Sequence, residues 1–369
     1  MKRRQVIRYG AGAAGTTALV ACTSASEPPP PGTAVTQPQV NWRMAASWPN
    51  ALDVLYGTAQ QVCDRTAELT AGRFTIDLFA AGEIVPALEV LDGVQSGAVE
   101  CGHTASYYYI GKNPALAFGT TVPFGFTPQQ QNAWFYDGGG LEIMQELYSD
   151  FGVISFPAGN SGAQMGGWFK REINSLADLQ GLIMRIPGLG GEVMSRLGVT
   201  VQVIPGGEIY LALERNAVDA AEWVGPHDDE NLGLHNAAQL YYYPGWWEPG
   251  AALEMQINAN AWNQLPPEYQ TALKTACYEA NLTMLAKYEA LNSAALQRLL
   301  NQGVTLKPYS DDIMAIAEQT AFGIYAERAS EDATFKQVYE QWQGFRESIL
   351  AWNRVNELSF TRFANRELP

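Results

Sequence analysis

The stretch NWRMAASWPNALDVLYGTAQQVCDRTAELTAGRFTIDLF, residues 41–79, decides the fold. It opens on a β-like run, Asn41–Ala46, and closes on another, Phe74–Phe79. Between them Val54, Leu55, Ala59, Val62, Ala67 and Leu69 recur at helical spacing, which predicts an amphipathic helix over Val54–Thr70. Strand, helix, strand is the unit of a largely parallel sheet. The pattern continues with a helix over Pro86–Gly97 and a strand over Val99–Thr104.

A second series begins near Val153, with strands expected at Val153–Phe156, Gly166–Phe169, Ile183–Ile186, Val199–Ile204 and Ala220–Val224. Ser175-Leu176-Ala177-Asp178 reads as a capping box opening a short helix. Gly188-Leu189-Gly190-Gly191 joins a strand to a helix through Leu197, and Gly207–Asn216 is a further helix. Leu253–Asn258 reads as a strand returning to the first series. Beyond Leu265 the chain is helical over Pro267–Asn301, Asp311–Glu331 and Phe335–Trp352, with breaks at Gly303 and Pro308 and a pattern that fades after Arg354. The expected class is α/β: a hinged pair of lobes, with a strand that returns late to the first, followed by long C-terminal helices. Residues 41–158 with about 250–300 form the first lobe, 159–249 the second, and 301–369 the C-terminal helices. Ligands of open α/β sheets sit at carboxyl ends of strands, here in a cleft between lobes.

Ahead of this body stand Lys2, Arg3, Arg4 and Arg8, then an apolar stretch from about Gly10 to Val20. That is an export signal, expected over residues 1–21. Leu19-Val20-Ala21-Cys22 fits a lipobox, which makes Cys22 the lipidated N-terminus; the competing reading is an ordinary cleaved signal with an incidental cysteine. Arg3-Arg4 matches twin-arginine export only in part. Residues 22–40, with four prolines at 28–31, form the anchor and a stiff spacer. The expected location is the periplasm, with membrane contact only through that anchor.

Thirty-eight acidic against 23 basic residues give a formal −15, which falls to −19 once residues 1–21 and their four basic side chains are removed. Such a surface repels nucleic acid and anionic lipid. No apolar run reaches the roughly 20 residues of a bilayer span. Cys63, Cys101 and Cys277 are far apart, lack metal spacing and read as small buried hydrophobes. The histidines, 103, 227 and 235, form no ligand pair, and His227 reads as a dipole complement at a helix N-terminus. Gly188-Leu189-Gly190 departs from a dinucleotide fingerprint at Val193.

Polar groups in apolar surroundings follow the second-series strands: Gln164, Arg185, Glu222 with Trp223, and Glu248. Arg185 lies between Met184 and Ile186 and needs an anion, either a bound carboxylate or an internal partner, Glu222 or Glu248. The two glutamates allow a glycosidase-type pair, hard oxygen ligands for Na⁺ or Ca²⁺, or unrelated surface positions. Tyr107-Tyr108-Tyr109, Tyr241-Tyr242-Tyr243 and Trp246-Trp247 read mostly as packing, with some able to wall a pocket.

FAAGEIVPALEV (79–90), GNSGAQMGGWFKREI (159–173), MRIPG (184–188), AEWVGPHDDENLG (221–233) and YYYPGWWEPG (241–250) resemble the DctP-like solute-binding subunit of tripartite ATP-independent periplasmic (TRAP) transporters. The branch in question binds 2-oxo acids and related hydroxy acids, such as pyruvate and lactate, together with a cation. The resemblance runs from about Asn41 to at least Tyr339. It implies a two-lobed fold like that of periplasmic binding proteins, joined by crossing hinge strands and braced by a long helix, whose lobes close on a small carboxylate and deliver it to membrane permease subunits, with no catalysis and no organic cofactor. It puts Arg185 on the carboxylate, and Gln164, Glu222, the Trp223 carbonyl and Glu248 on Na⁺ or Ca²⁺. Trp48, Tyr107 and Tyr108 then line the solute side. It also implies a homodimer exchanging a C-terminal helix around residues 333–360. Trp48 departs from the smaller aromatic common in related sequences, and Ser106 and Ile110 also differ. Two glutamates and a monocarboxylate against one arginine leave a deficit that Na⁺ reduces and Ca²⁺ cancels. Other readings are an exported hydrolase using Glu222 and Glu248, a binding protein of an ABC importer, and a receptor subunit.

Overall fold

The computed structural model describes residues 37–366. The signal, Cys22 and the spacer up to residue 36 lie outside the described residues. Among the described residues there are eleven strands: β1 (Val40–Ala46), β2 (Phe74–Phe79), β3 (Cys101–Thr104), β4 (Val153–Asn160), β5 (Trp168–Phe169), β6 (Ile183–Arg185), β7 (Thr200–Gln202), β8 (Ala220–Ala221), β9 (Leu240–Tyr243), β10 (Ala252–Asn258) and β11 (Thr305–Pro308).

They form two sheets. The first has the order β2-β1-β3-β10-β4 and the second β11-β9-β5-β8-β6-β7. The parallel unit read from residues 41–79 is there: β1 pairs in parallel with β2 and β3, and the helix Leu55–Leu69 crosses between β1 and β2. That helix buries Leu55, Ala59, Val62 and Cys63. β10 returns between β3 and β4 and runs antiparallel to both, so the sheets are mixed. In the second sheet β5 is antiparallel to β8 and β9, while β6 is parallel to β7 and β8.

Two connections cross between the sheets, 161–167 after β4 and 244–251 before β10. They run side by side, with Ser161 N donating to the Ala251 carbonyl at 2.9 Å, Gln164 N to the Glu248 carbonyl at 3.1 Å and Gly245 N to the Gln164 carbonyl at 3.0 Å. Gly245 is there because a Cβ would lie 2.5 Å from the Gln164 carbonyl oxygen.

The helix Pro267–Asn301 has 35 residues and is about 50 Å long. It packs on β4 and on Leu55–Leu69. Farther along, Tyr288 hydroxyl donates to Asp228 at 2.8 Å and Arg298 pairs with Glu230, so one rigid rod touches both lobes. The helix Asp311–Glu331 is capped by Ser310, and Ala333–Val355 by Asp332. Trp342 and Phe335 of the latter pack against Phe118 of the first lobe.

Several expectations are corrected. Tyr241 and Tyr242 are buried packing residues, as read, within strand β9, and a strand the reading lacked, β11, lies between the breaks at Gly303 and Pro308 and pairs with β9. The chain stays helical after Arg354, with a further helix Glu357–Ala364. The helices Pro128–Asp137 and Gly140–Ser149 had no counterpart in the sequence reading. His227 sits in the first turn of the helix Pro226–Asn231, as read, and its Nε2 also reaches Asp53 of the first lobe at 2.7 Å. Cys63, Cys101 and Cys277 are free and buried, as expected.

Candidate functional site

β6 and β8 are parallel neighbours, with Arg185 in register with Ala221. The chain therefore delivers Arg185 at the end of β6, and Glu222 and Trp223 just past the end of β8, to one edge. Glu222 N donates to the Arg185 carbonyl at 3.2 Å. The paired crossing connections bring Gln164 and Glu248 together. Tyr107 comes from the turn after β3 on the other lobe, and its hydroxyl donates to Glu248 Oε2 at 3.4 Å. Trp48, also from the first lobe, has its ring 6.4 Å from that of Trp223. All the residues read as candidates thus converge across the lobes, except Cys22, which lies outside the described residues.

Arg185 and Glu222 are each 1% exposed. The internal pair left open by the sequence exists: Arg185 Nη1 bonds Glu222 Oε1 and also donates to the Glu222 carbonyl at 3.1 Å. Arg185 Nε donates to the Ile204 carbonyl at 3.1 Å, and the Trp223 ring lies 5.1 Å from the guanidinium. That pair accounts for only part of the site. Arg185 Nη2, Glu222 Oε2 and Gln164 Oε1 are buried without a hydrogen-bond partner among the described residues. Buried polar groups are rarely left so. One surplus donor sits on the cation, and two surplus acceptors sit on hard oxygens.

Burial raises the Glu222 carboxyl against the pull of Arg185. Burial raises Glu248 well above the usual carboxylate range, and the Glu222 charge adds to it. Burial is the largest influence on Arg185 and lowers it, but Glu222, Tyr108, Tyr107 and Glu248 together outweigh it and the guanidinium stays charged. One arginine cannot neutralise two buried carboxylates, so one of them keeps a proton until more positive charge arrives. The donor set for such a charge is two carboxylates and an amide oxygen, which suits Na⁺ or Ca²⁺ and not a soft metal. Among the described residues no group of three or more His, Cys, Asp or Glu side chains could hold a metal ion, so carbonyl and amide oxygens must complete any such set.

Sequence reasoning missed the supporting residues. Ser161 accepts from Gln164 Nε2 at 2.9 Å and orients the amide so that its oxygen stays open. Asp229 holds the backbone after Trp223 through the Val224 N–H at 3.3 Å. His103, dismissed for want of a ligand partner, accepts from Trp48 Nε1 at 2.7 Å. Only Asp229 left a signal, as an acid in the apolar turn AEWVGPHDD.

Residues 44–332 match the DctP model, bacterial extracellular solute-binding protein, family 7. The chain is 63% identical over 99% of both chains to a monocarboxylate 2-oxoacid-binding periplasmic protein of Nostoc sp. (strain PCC 7120). A TRAP transporter solute-binding protein of Bordetella bronchiseptica is 44% identical with a TM-score of 0.88, covering 89% of this chain and 97% of its own; it is a mixed-occupancy dimer with calcium and picolinate in one active site. A TRAP periplasmic solute-binding protein of Pseudoalteromonas atlantica, solved with sodium and pyruvate, is 37% identical with a TM-score of 0.86, covering 89% of this chain and all of its own. The two mixed sheets, the paired crossing connections and the matched length leave one assignment: the chain belongs to the DctP family of bacterial extracellular solute-binding proteins.

Proposed function

We propose that this chain captures a 2-oxo monocarboxylate, pyruvate or a near relative such as lactate, together with Na⁺ or Ca²⁺, and hands it to a TRAP permease in the membrane. The observation that carries the reading is the buried trio of open groups, Arg185 Nη2, Glu222 Oε2 and Gln164 Oε1. Arg185 holds the solute carboxylate. Gln164, Glu222, the Trp223 carbonyl and Glu248 hold the cation, whose charge lets both glutamates ionise beside a carboxylate. Trp48, Tyr107 and Tyr108 wall the solute. The relatives from Nostoc, Bordetella and Pseudoalteromonas support this reading by what their names and bound groups say. The role is binding without catalysis.

Calorimetry with pyruvate tests it. Binding is expected with Na⁺ or Ca²⁺ present and lost in chelated, sodium-free buffer. Undiminished affinity without either cation overturns the reading.

The protein works in the periplasm, held to a membrane through lipid on Cys22; mass spectrometry of the mature N-terminus finds a diacylglyceryl cysteine or removes that part. The homodimer belongs to the same proposal. Trp352, Val355, Phe360 and Phe363 on the last two helices are 60–70% exposed, an apolar face of the kind a second copy covers. Light scattering is expected to give twice the chain mass, and a monomer overturns it.

A further inference from the structure

Trp48 lies just past β1, buried between Ser47 and Pro49. Its indole Nε1 donates to Nδ1 of His103 on β3 at 2.7 Å, and the other ring nitrogen of His103 is 3.1 Å from the Ala158 carbonyl on β4. A carbonyl only accepts, so Nε2 carries the proton and Nδ1 is left as the acceptor the indole needs. Burial holds the His103 pKa down to about 4, so the neutral ring keeps this one tautomer through the neutral range.

The bond aims the indole across the lobes. Its ring is 6.4 Å from Trp223 and 6.3 Å from Tyr108, and Trp223 lies over Arg185. On the outer side is an open groove of about 560 Å³, lined by Ser47, Pro49, the loop 81–87 and residues 205–208. Gly206 forms its inner edge against Trp223, where a Cβ would lie 2.3 Å from Cη2. Trp223 stands between this groove and the guanidinium, and the Trp48 indole packs edge-on beside it. The Trp223 backbone is committed to the site, whereas the Trp48 indole, buried in the core, has its orientation set by one hydrogen bond.

Resting on the reading of this site as one for 2-oxo acids, we propose that His103 is a positioning residue that locks the Trp48 indole as the size limit on the solute. Short-chain 2-oxo acids fit inside the indole wall, and acids with a branched or aryl tail are rejected because the tail would have to pass into the groove.

The test is the ratio of affinities for pyruvate and phenylpyruvate, by calorimetry with saturating Na⁺ and Ca²⁺. Trp48→Ala should shift that ratio toward phenylpyruvate by about tenfold or more. Trp48→Phe should shift it in the same direction, and serves if the alanine variant does not fold. His103→Asn keeps an acceptor near Nδ1 and should preserve the ratio. His103→Gln keeps a donor for Ala158 but no acceptor for the indole, and should relax it by about threefold or more. An unchanged ratio in the Trp48 variants, or equal shifts in the two His103 variants, overturns the proposal while leaving the site intact. A wild-type chain that binds no pyruvate with either cation instead removes the reading of the site, and this inference with it.

Discussion

Asp229 and Glu222 lie seven residues apart, and both are buried at 1% exposure. Their surroundings are opposite. Asp229 is saturated: Oδ2 receives Trp168 Nε1 at 2.8 Å and the Tyr241 hydroxyl at 2.6 Å, and Oδ1 receives the Val224 N–H. Among the described residues Glu222 has one oxygen on Arg185 and the other without a partner, and Glu248 accepts the long bond from Tyr107. Burial raises both carboxyls, with Asp229 pushed up to about 6. Burial therefore does not distinguish a scaffold acid from a binding acid. Unspent capacity gathered around a buried guanidinium does, because one bound ligand and its cation would remove the cost of Arg185 Nη2, Glu222 Oε2 and Gln164 Oε1 together.

The sharpest way to break the comparison is Glu248→Gln. Burial and Glu222 already oppose ionisation of this carboxyl, so a neutral amide there should leave folding stability unchanged or higher. Pyruvate affinity in the presence of Na⁺ should fall by about a thousandfold. Asp229→Ala should do the reverse. Stranding three buried donors costs ~3–4 kcal/mol of stability, read by denaturant melts, while the protein that remains folded keeps its affinity within about tenfold. If the glutamate variant unfolds easily and the aspartate variant loses only binding, the distinction between spent and unspent acids is wrong.

That distinction was invisible in the sequence, and the reason is physical. Period and breakers located elements well: Pro267–Asn301 starts at Pro267 and stops before Gly303, and Asp311–Glu331 starts after Pro308. The helix Pro128–Asp137 escaped because its run QQQN carries buried Gln130 and Gln131 in place of an apolar stripe, although the Thr127–Gln130 capping box was there to be read. β11 escaped because a four-residue strand gains meaning only from its partner β9. Strand ends pointed to Arg185 and Glu222. The convergence of Gln164 with Glu248 depends on two crossing connections 84 residues apart, and whether Glu222 Oε2 has a partner depends on packing from every side.

Glu254 on β10 extends the comparison to the first lobe. It is buried, accepts from the Tyr148 hydroxyl and is approached by Gln256 Nε2 at 3.3 Å. Burial pushes its carboxyl up to about 7 from an ordinary 4.5, against the pull of those donors. Between about pH 4.5 and 7 the unfolded chain ionises this group while the folded chain keeps the proton. The folded state then binds more protons, so stability falls as pH rises through that window. Glu254→Gln should remove as much as ~3 kcal/mol of that decline, measured as the difference between melts at pH 4.5 and 7.5 in variant and parent. A variant whose decline matches the parent's would mean that the Tyr148 and Gln256 donors fully offset the burial of Glu254.

The smallest effect probes the support of the open groups. Ser161 touches no candidate ligand, yet its hydroxyl takes Gln164 Nε2 and so leaves Oε1 facing the site. Ser161→Ala frees the amide to turn its N–H₂ toward the cation position. A single neutral hydrogen bond is worth ~1 kcal/mol, so affinity for pyruvate should drop about fivefold. The loss should be the same fraction for every acid tested, because the cation's hold is weakened and the solute wall is untouched. It should shrink as Na⁺ or Ca²⁺ is raised, since excess cation offsets a weaker site by mass action. A loss that ignores cation concentration would mean that Ser161 acts on the lobes' closure, and that the open oxygen of Gln164 is not held open for a cation.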